Sequence, residues 1–438
     1  MKSLNFNFAV KSLFSRAKQY RSLFAVCAVG VCVMLSVLMV TDGMLLSMTE
    51  KMRQYYGGDF MVLREAEGSF GLLEEYDDIV AALKEILPKG TEVSYRNKKD
   101  SGDKSLFFEG VSVKQRSLQG VDFSLEKALF EKFNFVEGGV EIRETRDTAL
   151  ISLPVAQKLG VHVGDSVVLL VETPIGKNTE DLVVTGIFQD SSVFGMYTTY
   201  LDYQAFKRAF GFNIFEETTG LKLNIIDKIC VYYPNGAPSK REIARVQAEL
   251  EKRFDMLPLS YDKASWHDFK VQKGMTVYAI IPLSANVSDL QKLSLALRAI
   301  VAMVVIMLVL IISIGISSTF RVIILKRAVE SGTFRALGMK PSGLMALYFT
   351  EILLLLVSGT LAGFAASFVI VKIASTYNLS FISGFDLFLT GGRLSPCLKA
   401  GEALGLLSVI FVTTLGAVLF TLRKLVHISP VGALATVT

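Results

Sequence analysis

Four runs of this chain carry no charged side chain: residues 22–41, 299–320, 352–371 and 403–422, each 20 or 22 residues long. A hydrocarbon core of about 30 Å is crossed by about 20 helical residues. Inside it every backbone polar group must be satisfied within the segment, which a helix does and an irregular chain does not. The runs therefore predict four membrane-spanning helices. The long stretch between the first two, residues 49–292, becomes a single large extramembrane domain. Composition agrees, with 51% hydrophobic and 20% charged residues, against about 25% charged in an average soluble domain. This balance excludes a disordered chain, a collagen-like repeat and a purely soluble enzyme. Four cysteines in 438 residues exclude a small disulfide scaffold.

Charge sets the orientation. Residues 1–22 hold Lys2, Lys11, Arg16, Lys18 and Arg21 and no acid. The loop 321–340 holds five basic residues against Glu330, and the tail from Arg423 holds two against none. Basic residues next to spans stay on the cytoplasmic side, so both termini and the 321–340 loop are expected inside and residues 49–292 outside. Each basic cluster abuts a span, which argues against a nucleic-acid surface. The first run exceeds the ~7–15 residues of a signal-peptide core and no A-x-A site follows, so a retained helix is expected.

The expected fold class is an α-helical membrane protein with four transmembrane helices and a large extracytoplasmic α+β domain, a split α/β sandwich with an inserted β-rich unit. Residues 1–21 mix apolar and basic positions and read as an amphipathic elbow in the membrane interface. The first span covers 22–48 and the outer domain 49–284, with the β-rich insert at about 125–222. Within the outer domain, strands are expected at 59–63, 91–96, 104–113, 149–152, 166–171, 182–188 and 228–233, and helices at 76–87, 154–159, 203–210 and 239–254. A stalk and the second span occupy 285–320, an inner helical loop 321–340, the third span 341–372, a short outer loop 373–401, the fourth span 402–422 and a tail 423–438. In the third span Gly359 and Gly363 form a G-x-x-x-G, which lets two membrane helices approach closely; packing inside the chain or a subunit contact would both use it.

Catalytic chemistry is missing. His162, His267 and His427 are far apart and none has a partner at metal-ligand spacing. No G-x-S-x-G or G-x-x-x-x-G-K-[ST] occurs, so the chain supplies neither a nucleophilic elbow nor a phosphate-cradling loop. Cys27, Cys32, Cys230 and Cys397 suggest small buried apolar residues. Asp42, near the outer end of the first span, reads as interfacial. Glu351, in the third span, is expected to be held by a neighbouring basic or backbone group.

The inner loop runs RVIILKRAVESGTFRALGMKPSGLMALYFTE from Arg321 to Glu351. A short helix carries Arg327, Glu330 and Arg335, Gly338 stops it in a left-handed conformation, and Pro341 opens the next helix. Physically, the loop is either bound to lipid headgroups or a docking helix for a cytoplasmic partner.

This segment resembles the signature of FtsX-like permeases, the membrane subunits of MacB-type ABC transporters. The resemblance lies in residues 326–330, Gly332, Arg335, Ala336, Leu337, Gly338 and Glu351. The tail Ser429-Pro430-Val431-Gly432-Ala433-Leu434 is similar to the same family's closing P-x-x-A-L, and residues 9–16 to its N-terminal start. The resemblance implies a non-catalytic subunit that works as a homo- or heterodimer with a second permease and a cytoplasmic ABC ATPase dimer. ATP and Mg would then sit on the ATPase, with no cofactor or metal bound by this chain. Arg327, Glu330, Gly332, Arg335, Ala336, Leu337 and Gly338 become the expected ATPase-coupling residues. Within the family, LVVTGIFQD (182–190) running on to residue 212, and SWHDFKVQKG (265–274), resemble lipoprotein-releasing permeases, whereas Thr41-Asp42-Gly43 matches them only loosely. The implied activity is release of lipoproteins from the inner membrane, with lipid, lipoprotein cargo and a periplasmic carrier as partners. Efflux of peptides, toxins or amphiphilic drugs, and signalling to a wall hydrolase or kinase, are the alternatives. Met34, Met39, Met44, Met48, Met303 and Met307 are candidate acyl-chain contacts, because methionine gives a pliable apolar surface.

Overall fold

The computed structural model describes residues 15, 17–66, 76–100, 102–173, 176–189, 195–220, 226–234, 236–261, 276–382 and 384–426. Most of the elbow, the 265–274 segment and the 429–434 tail motif therefore lie outside the described residues.

In chain order the elements are α1 (Ala17–Tyr56), β1 (Phe60–Ala66), α2 (Tyr76–Ile86), β2 (Glu92–Lys99), β3 (Lys104–Phe108), β4 (Val111–Lys114), β5 (Ser117–Val121), α3 (Lys127–Phe130), β6 (Phe135–Gly138) and β7 (Thr148–Ser152). There follow α4 (Leu153–Leu159), β8 (Ser166–Thr173), β9 (Gly176–Phe188), β10 (Thr198–Asp202), α5 (Tyr203–Ala209), α6 (Phe212–Thr219), β11 (Lys228–Tyr232), α7 (Lys240–Leu250) and β12 (Thr276–Pro282). The chain ends with α8 (Leu283–Asn286), α9 (Ser288–Lys326), α10 (Ala328–Ala336), α11 (Pro341–Ala374) and α12 (Ala400–Val426). Four helices, α1, α9, α11 and α12, contain segments long and apolar enough to cross a membrane.

The chain divides into two compact units, one of residues 47–293 with 378–393, the other of the remaining segments. The first unit is built on one sheet in the order β12-β1-β11-β2-β5-β10-β7-β9-β8-β3-β4, with β6 added on β9. Neighbours are antiparallel except β5 with β10 and β7 with β9. At one end, α2 and α7 cover the sheet. Their apolar faces (Ile79, Leu83, Ile243, Val246 and Leu250) meet Phe60, Val62, Ile229, Val231 and Ile280 from the strands. Helix α7 starts where expected because Ser239 accepts the Glu242 N–H at 3.2 Å, the first half of an S-x-x-E capping box. At the other end α4 and α5 cover β7, β8 and β9 through Val155, Leu159, Ala205 and Phe206.

Residues 104–113 are not one strand. Glu109 and Gly110 take positive φ (46° and 84°) and turn the chain back as a two-residue hairpin, and β3 then pairs with β8, Leu106 opposite Leu169. The β-rich end thus starts before residue 125. Strands β5, β6, β10 and β12 were not legible in the sequence. In β5 and β10 every residue is buried, Gln119, Thr198 and Thr199 included, so no alternation of apolar and polar residues marks them.

The membrane unit has its own core, where Leu23, Val31 and Leu35 of α1 meet Ile316 and Phe320 of α9, Ile352 and Leu355 of α11, and Ile410 and Val418 of α12. Both α1 and α9 are far longer than a span, at 40 and 39 residues, or about 60 Å at 1.5 Å per residue. The G-x-x-x-G of α11 is filled by α1 of the same chain. A Cβ on Gly359 would lie 2.9 Å from the Cys27 Sγ, and one on Gly363 would lie 2.5 Å from the Ala28 carbonyl oxygen. Between α9 and α12, Ser313 shares hydrogen bonds with Thr413 (3.1 Å) and Thr414 (3.3 Å). Such small and hydroxylated contacts hold helices together where no hydrophobic effect operates.

Gly363→Val should therefore be overpacked by about 1–3 kcal/mol. The detergent-purified protein should melt several degrees lower, whereas Gly405→Val, whose Cβ meets nothing within 4 Å, should melt like the wild type.

Candidate functional site

The inner loop folds as a short helix between two spans. α10 has nine residues, Ala328–Ala336. Gly338 has φ +90°, and the Met339 N–H bonds the Phe334 carbonyl at 3.0 Å while the Gly338 N–H bonds that of Arg335 at 3.1 Å. This is a left-handed glycine stop closing the helix end. Pro341 is the first residue of α11, where a missing N–H costs nothing.

Four buried side chains meet beneath it, Tyr20 from α1, Tyr348 and Glu351 from α11, and Arg327, the residue preceding α10. The Arg327 Nη1 donates to Glu351 Oε2 at 2.6 Å and to the Tyr20 hydroxyl at 3.0 Å. That hydroxyl donates in turn to Glu351 Oε2 at 2.7 Å. The guanidinium lies over the Tyr348 ring, 5.0 Å from its centroid, and its Nε donates to Glu330 Oε2 at 3.1 Å. Ser331 and Tyr348 share a hydroxyl–hydroxyl bond of 2.5 Å. Glu351 has no exposed surface, and Tyr20, Arg327 and Tyr348 have 4% or less. Stripping both charges of water costs several kcal/mol each; two short hydrogen bonds on Oε2 oppose that cost, while Glu351 Oε1 has no hydrogen-bond partner among the described residues. The network joins the start of α10 to α11 and to the inner end of α1.

The expected coupling residues thus separate into two groups. Arg327 is buried, its guanidinium turned to the Glu351 carboxylate. Gly332 is buried, and Glu330 and Arg335 are half-buried. Ala336, Leu337 and Gly338 are exposed, and with Val329 and Thr333 they form the outer face of α10. Leu337 is 80% exposed. Tyr20 and Tyr348 escaped the sequence reading. The only signal was Glu351 itself, since an acid in a span requires partners.

The methionines divide similarly. Met34, Met39 and Met48 are 4% exposed or less, whereas Met303 and Met307 are 54% and 57% exposed; Met44 is half-buried. Of the six, Met303 and Met307 present the largest exposed surface. The membrane unit also contains a cavity of about 540 Å³ between α1, α9 and α12, walled by Leu38, Val301, Val305, Ile306, Leu406 and Val409 and by none of those methionines. Asp42, Arg298 and Glu402 stand along it. Lys399 lies 3.4 Å from both Asp42 and Glu402.

In the outer unit the end of α1 is clamped by cations. The Lys228 ammonium donates to the Tyr56 carbonyl at 2.6 Å, and Arg96 donates to the Gln54 carbonyl. Arg53 pairs with Asp59 at 2.8 Å. Positive groups at a helix C-terminus satisfy its last carbonyls and its dipole. Arg96 is fully buried and also grips Glu126 through Nε at 2.9 Å. Burial pushes the Lys228 ammonium down to about 8 and the neighbouring Cys230 thiol up to about 11, as desolvation disfavours the charged form of each.

Among the described residues no group of His, Cys, Asp and Glu could hold a metal ion. The His162 ring lies 3.1 Å from the Glu137 carboxylate, and His267 and His427 lie outside the described residues.

Residues 25–251 match the MacB-like periplasmic core domain, and residues 302–430 match the FtsX-like permease C-terminal domain. No curated protein matches the chain. Among solved structures it is similar to the periplasmic region of MacB from Actinobacillus actinomycetemcomitans, at 11% identity and a TM-score of 0.31, over 56% of this chain and 97% of that one. With more than half its length in the first of these domains, the chain belongs to the family of MacB- and FtsX-like ABC transporter permeases. It is a transmembrane subunit with a large extramembrane domain of periplasmic type, in a family whose members work with ABC ATPases.

Removing one member of a buried ion pair costs about 3–5 kcal/mol. Arg327→Met should therefore lower the melting temperature of the purified protein sharply. The double variant Arg327→Met with Glu351→Leu should recover much of the loss, as the strandable charge is gone. A double variant no more stable than Arg327→Met would contradict the coupling.

Proposed function

We propose that this chain is the permease subunit of an inner-membrane transporter whose separate cytoplasmic ATPase docks on α10 and drives motion of the outer domain, releasing lipoproteins from the membrane. The observation that carries the reading is the pairing of an exposed apolar face on α10, Val329 to Leu337, with a buried network at its base. An exposed leucine on a cytoplasmic helix is a contact awaiting a partner. A helix held to α11 and α1 by Arg327, Glu351 and Tyr20 moves with them when that partner moves. Residues 1–438 hold no phosphate loop, which supports a separate ATPase as the source of energy.

The cargo assignment rests on chemistry. Each acyl CH₂ buried in the bilayer contributes about 0.8 kcal/mol, so a triacylated protein does not leave unaided. The cavity walled by apolar side chains between α1, α9 and α12, and the exposed Met303 and Met307, are surfaces suited to acyl chains. With both termini and α10 in the cytoplasm, as the basic clusters argue, the large domain lies on the side where lipoproteins are released.

Leu337→Asp or Arg335→Glu should reduce co-purification of the ATPase at least tenfold, while the protein still inserts. Normal ATPase binding by both variants would remove α10 from the contact. In a background lacking Cys397, a membrane-impermeant thiol reagent applied to whole cells with a permeable outer layer should label Ser239→Cys and spare Ala336→Cys. The reverse pattern would invert the topology. Depletion of the protein should leave lipoproteins in the inner membrane. Normal sorting combined with sensitivity to an amphiphilic peptide or drug would replace lipoprotein release by efflux.

A further inference from the structure

The cavity of about 540 Å³ between α1, α9 and α12 has charged groups at its mouth and apolar walls below them. Asp42 and Arg298 each lie five residues from the points, 47 and 293, where the chain passes into the outer unit. Glu402 stands in the first turn of α12. From these residues the wall continues along α9 to Leu310 and along α12 to Thr413. Twelve residues of helix rise about 18 Å, a little over half of a hydrocarbon core of about 30 Å. The cavity is therefore one leaflet deep, in the leaflet on the side of the outer unit. Ile306, Leu310 and Val409 of its wall are each more than half exposed, so one side of it faces out of the bundle.

Charges of both signs are left over at the mouth. The Lys399 ammonium is shared between Asp42 and Glu402, 3.4 Å from one oxygen of each. One cation between two carboxylates leaves a surplus negative charge. Both contacts are also longer than the about 2.7–2.9 Å of a well-made ammonium–carboxylate bond. Arg298 is exposed, and among the described residues its guanidinium, with five donors, has no ion-pair or hydrogen-bond partner.

A molecule that answers both signs and fills an apolar depth is a zwitterionic phospholipid. Its phosphate suits the planar donor fork of Arg298, and its ammonium suits the surplus carboxylate. The amine is a primary one. Carboxylates accept N–H hydrogen bonds from an ethanolamine ammonium, whereas quaternary choline has no N–H and is recognised by aromatic faces. None of the described lining residues is aromatic. A phosphoglycerol lipid answers Arg298 alone. The lipid end of a triacylated protein carries neither phosphate nor ammonium, so it leaves every charge at the mouth unanswered. The volume is that of a cleft for one drug-sized ligand, here one acyl chain, with the second chain left in the bilayer.

We propose that this cavity holds one phospholipid with a phosphoethanolamine headgroup, its phosphate on Arg298 and its ammonium on Asp42 and Glu402. The site stands whichever cargo the permease moves. In the test, the full chain is stripped of lipid in detergent. It is then titrated with dioleoyl lipids bearing ethanolamine, choline or glycerol headgroups and with a triacylated lipopeptide. Bound molecules are counted by native mass spectrometry. The ethanolamine lipid should bind about tenfold more tightly than the other two lipids. Arg298, Ala302 and Glu402 are exposed, so their variants should fold normally. Arg298→Gln should weaken the ethanolamine lipid about tenfold. Glu402→Gln should bring it down to the level of the glycerol lipid. Ala302→Trp, which fills the cavity, should abolish the preference among headgroups. The proposal is overturned if the three lipids bind equally to the wild type, or if any of these variants keeps the ethanolamine preference intact. It is also overturned if the lipopeptide, rather than the ethanolamine lipid, is the species whose binding depends on Arg298 and Glu402.

Discussion

A carboxylate placed inside a helical bundle in a membrane has to find a cation, and in this chain that requirement organises the inner end of the bundle. Glu351 is fully buried, so water cannot solvate it. Arg327 supplies the charge and Tyr20 a hydroxyl, at 2.6 and 2.7 Å from the same oxygen. The interaction reaches across the sequence, from the inner end of α1 to the third span. It holds the residue preceding α10 and turns its arginine toward the interior of the bundle. What remains exposed on α10 is Val329, Thr333 and Ala336, with Leu337 and Gly338 just beyond its end.

The outer unit meets a similar demand at the other end of α1. The last carbonyls of a long helix need donors, and Arg96 and Lys228 provide them from two strands of the sheet. Both cations are buried, and each is satisfied by a carbonyl or carboxylate rather than by solvent. Positively charged groups thus close α1 at the outer unit and gather around its inner end in the membrane unit. Satisfied carbonyls and a satisfied dipole keep the last turns of α1 from fraying.

Small residues do in the membrane what apolar burial does in the outer unit. Gly359 and Gly363 bring α11 against Cys27 and Ala28, and Ser313 meets Thr413 and Thr414. Large side chains such as Leu361, Val369, Val412 and Phe420 point outward, each more than half exposed. Lipid is as apolar as they are, so nothing is gained by hiding them.

Four spans, the large domain between the first two, the glycine stop at 338 and the proline start at 341 followed from the sequence alone. Each is imposed locally, by the thickness of a bilayer, by the φ angle that only glycine adopts freely, or by the missing N–H of proline. The short exposed α10 was legible for the same reason. The partners of Glu351 were not, because Tyr20 and Tyr348 look like any interfacial tyrosines until the helices pack. The same holds for the strands β5 and β10, whose polar residues are buried, and for the hairpin of β3 and β4, which joins the β-rich end only by pairing with β8. The fate of the methionines was likewise decided by packing, which buried Met34, Met39 and Met48 and left Met303 and Met307 exposed. Periodicity and turn chemistry are properties of neighbouring residues, whereas ion pairing, strand order and burial between segments hundreds of residues apart exist only once the chain has folded.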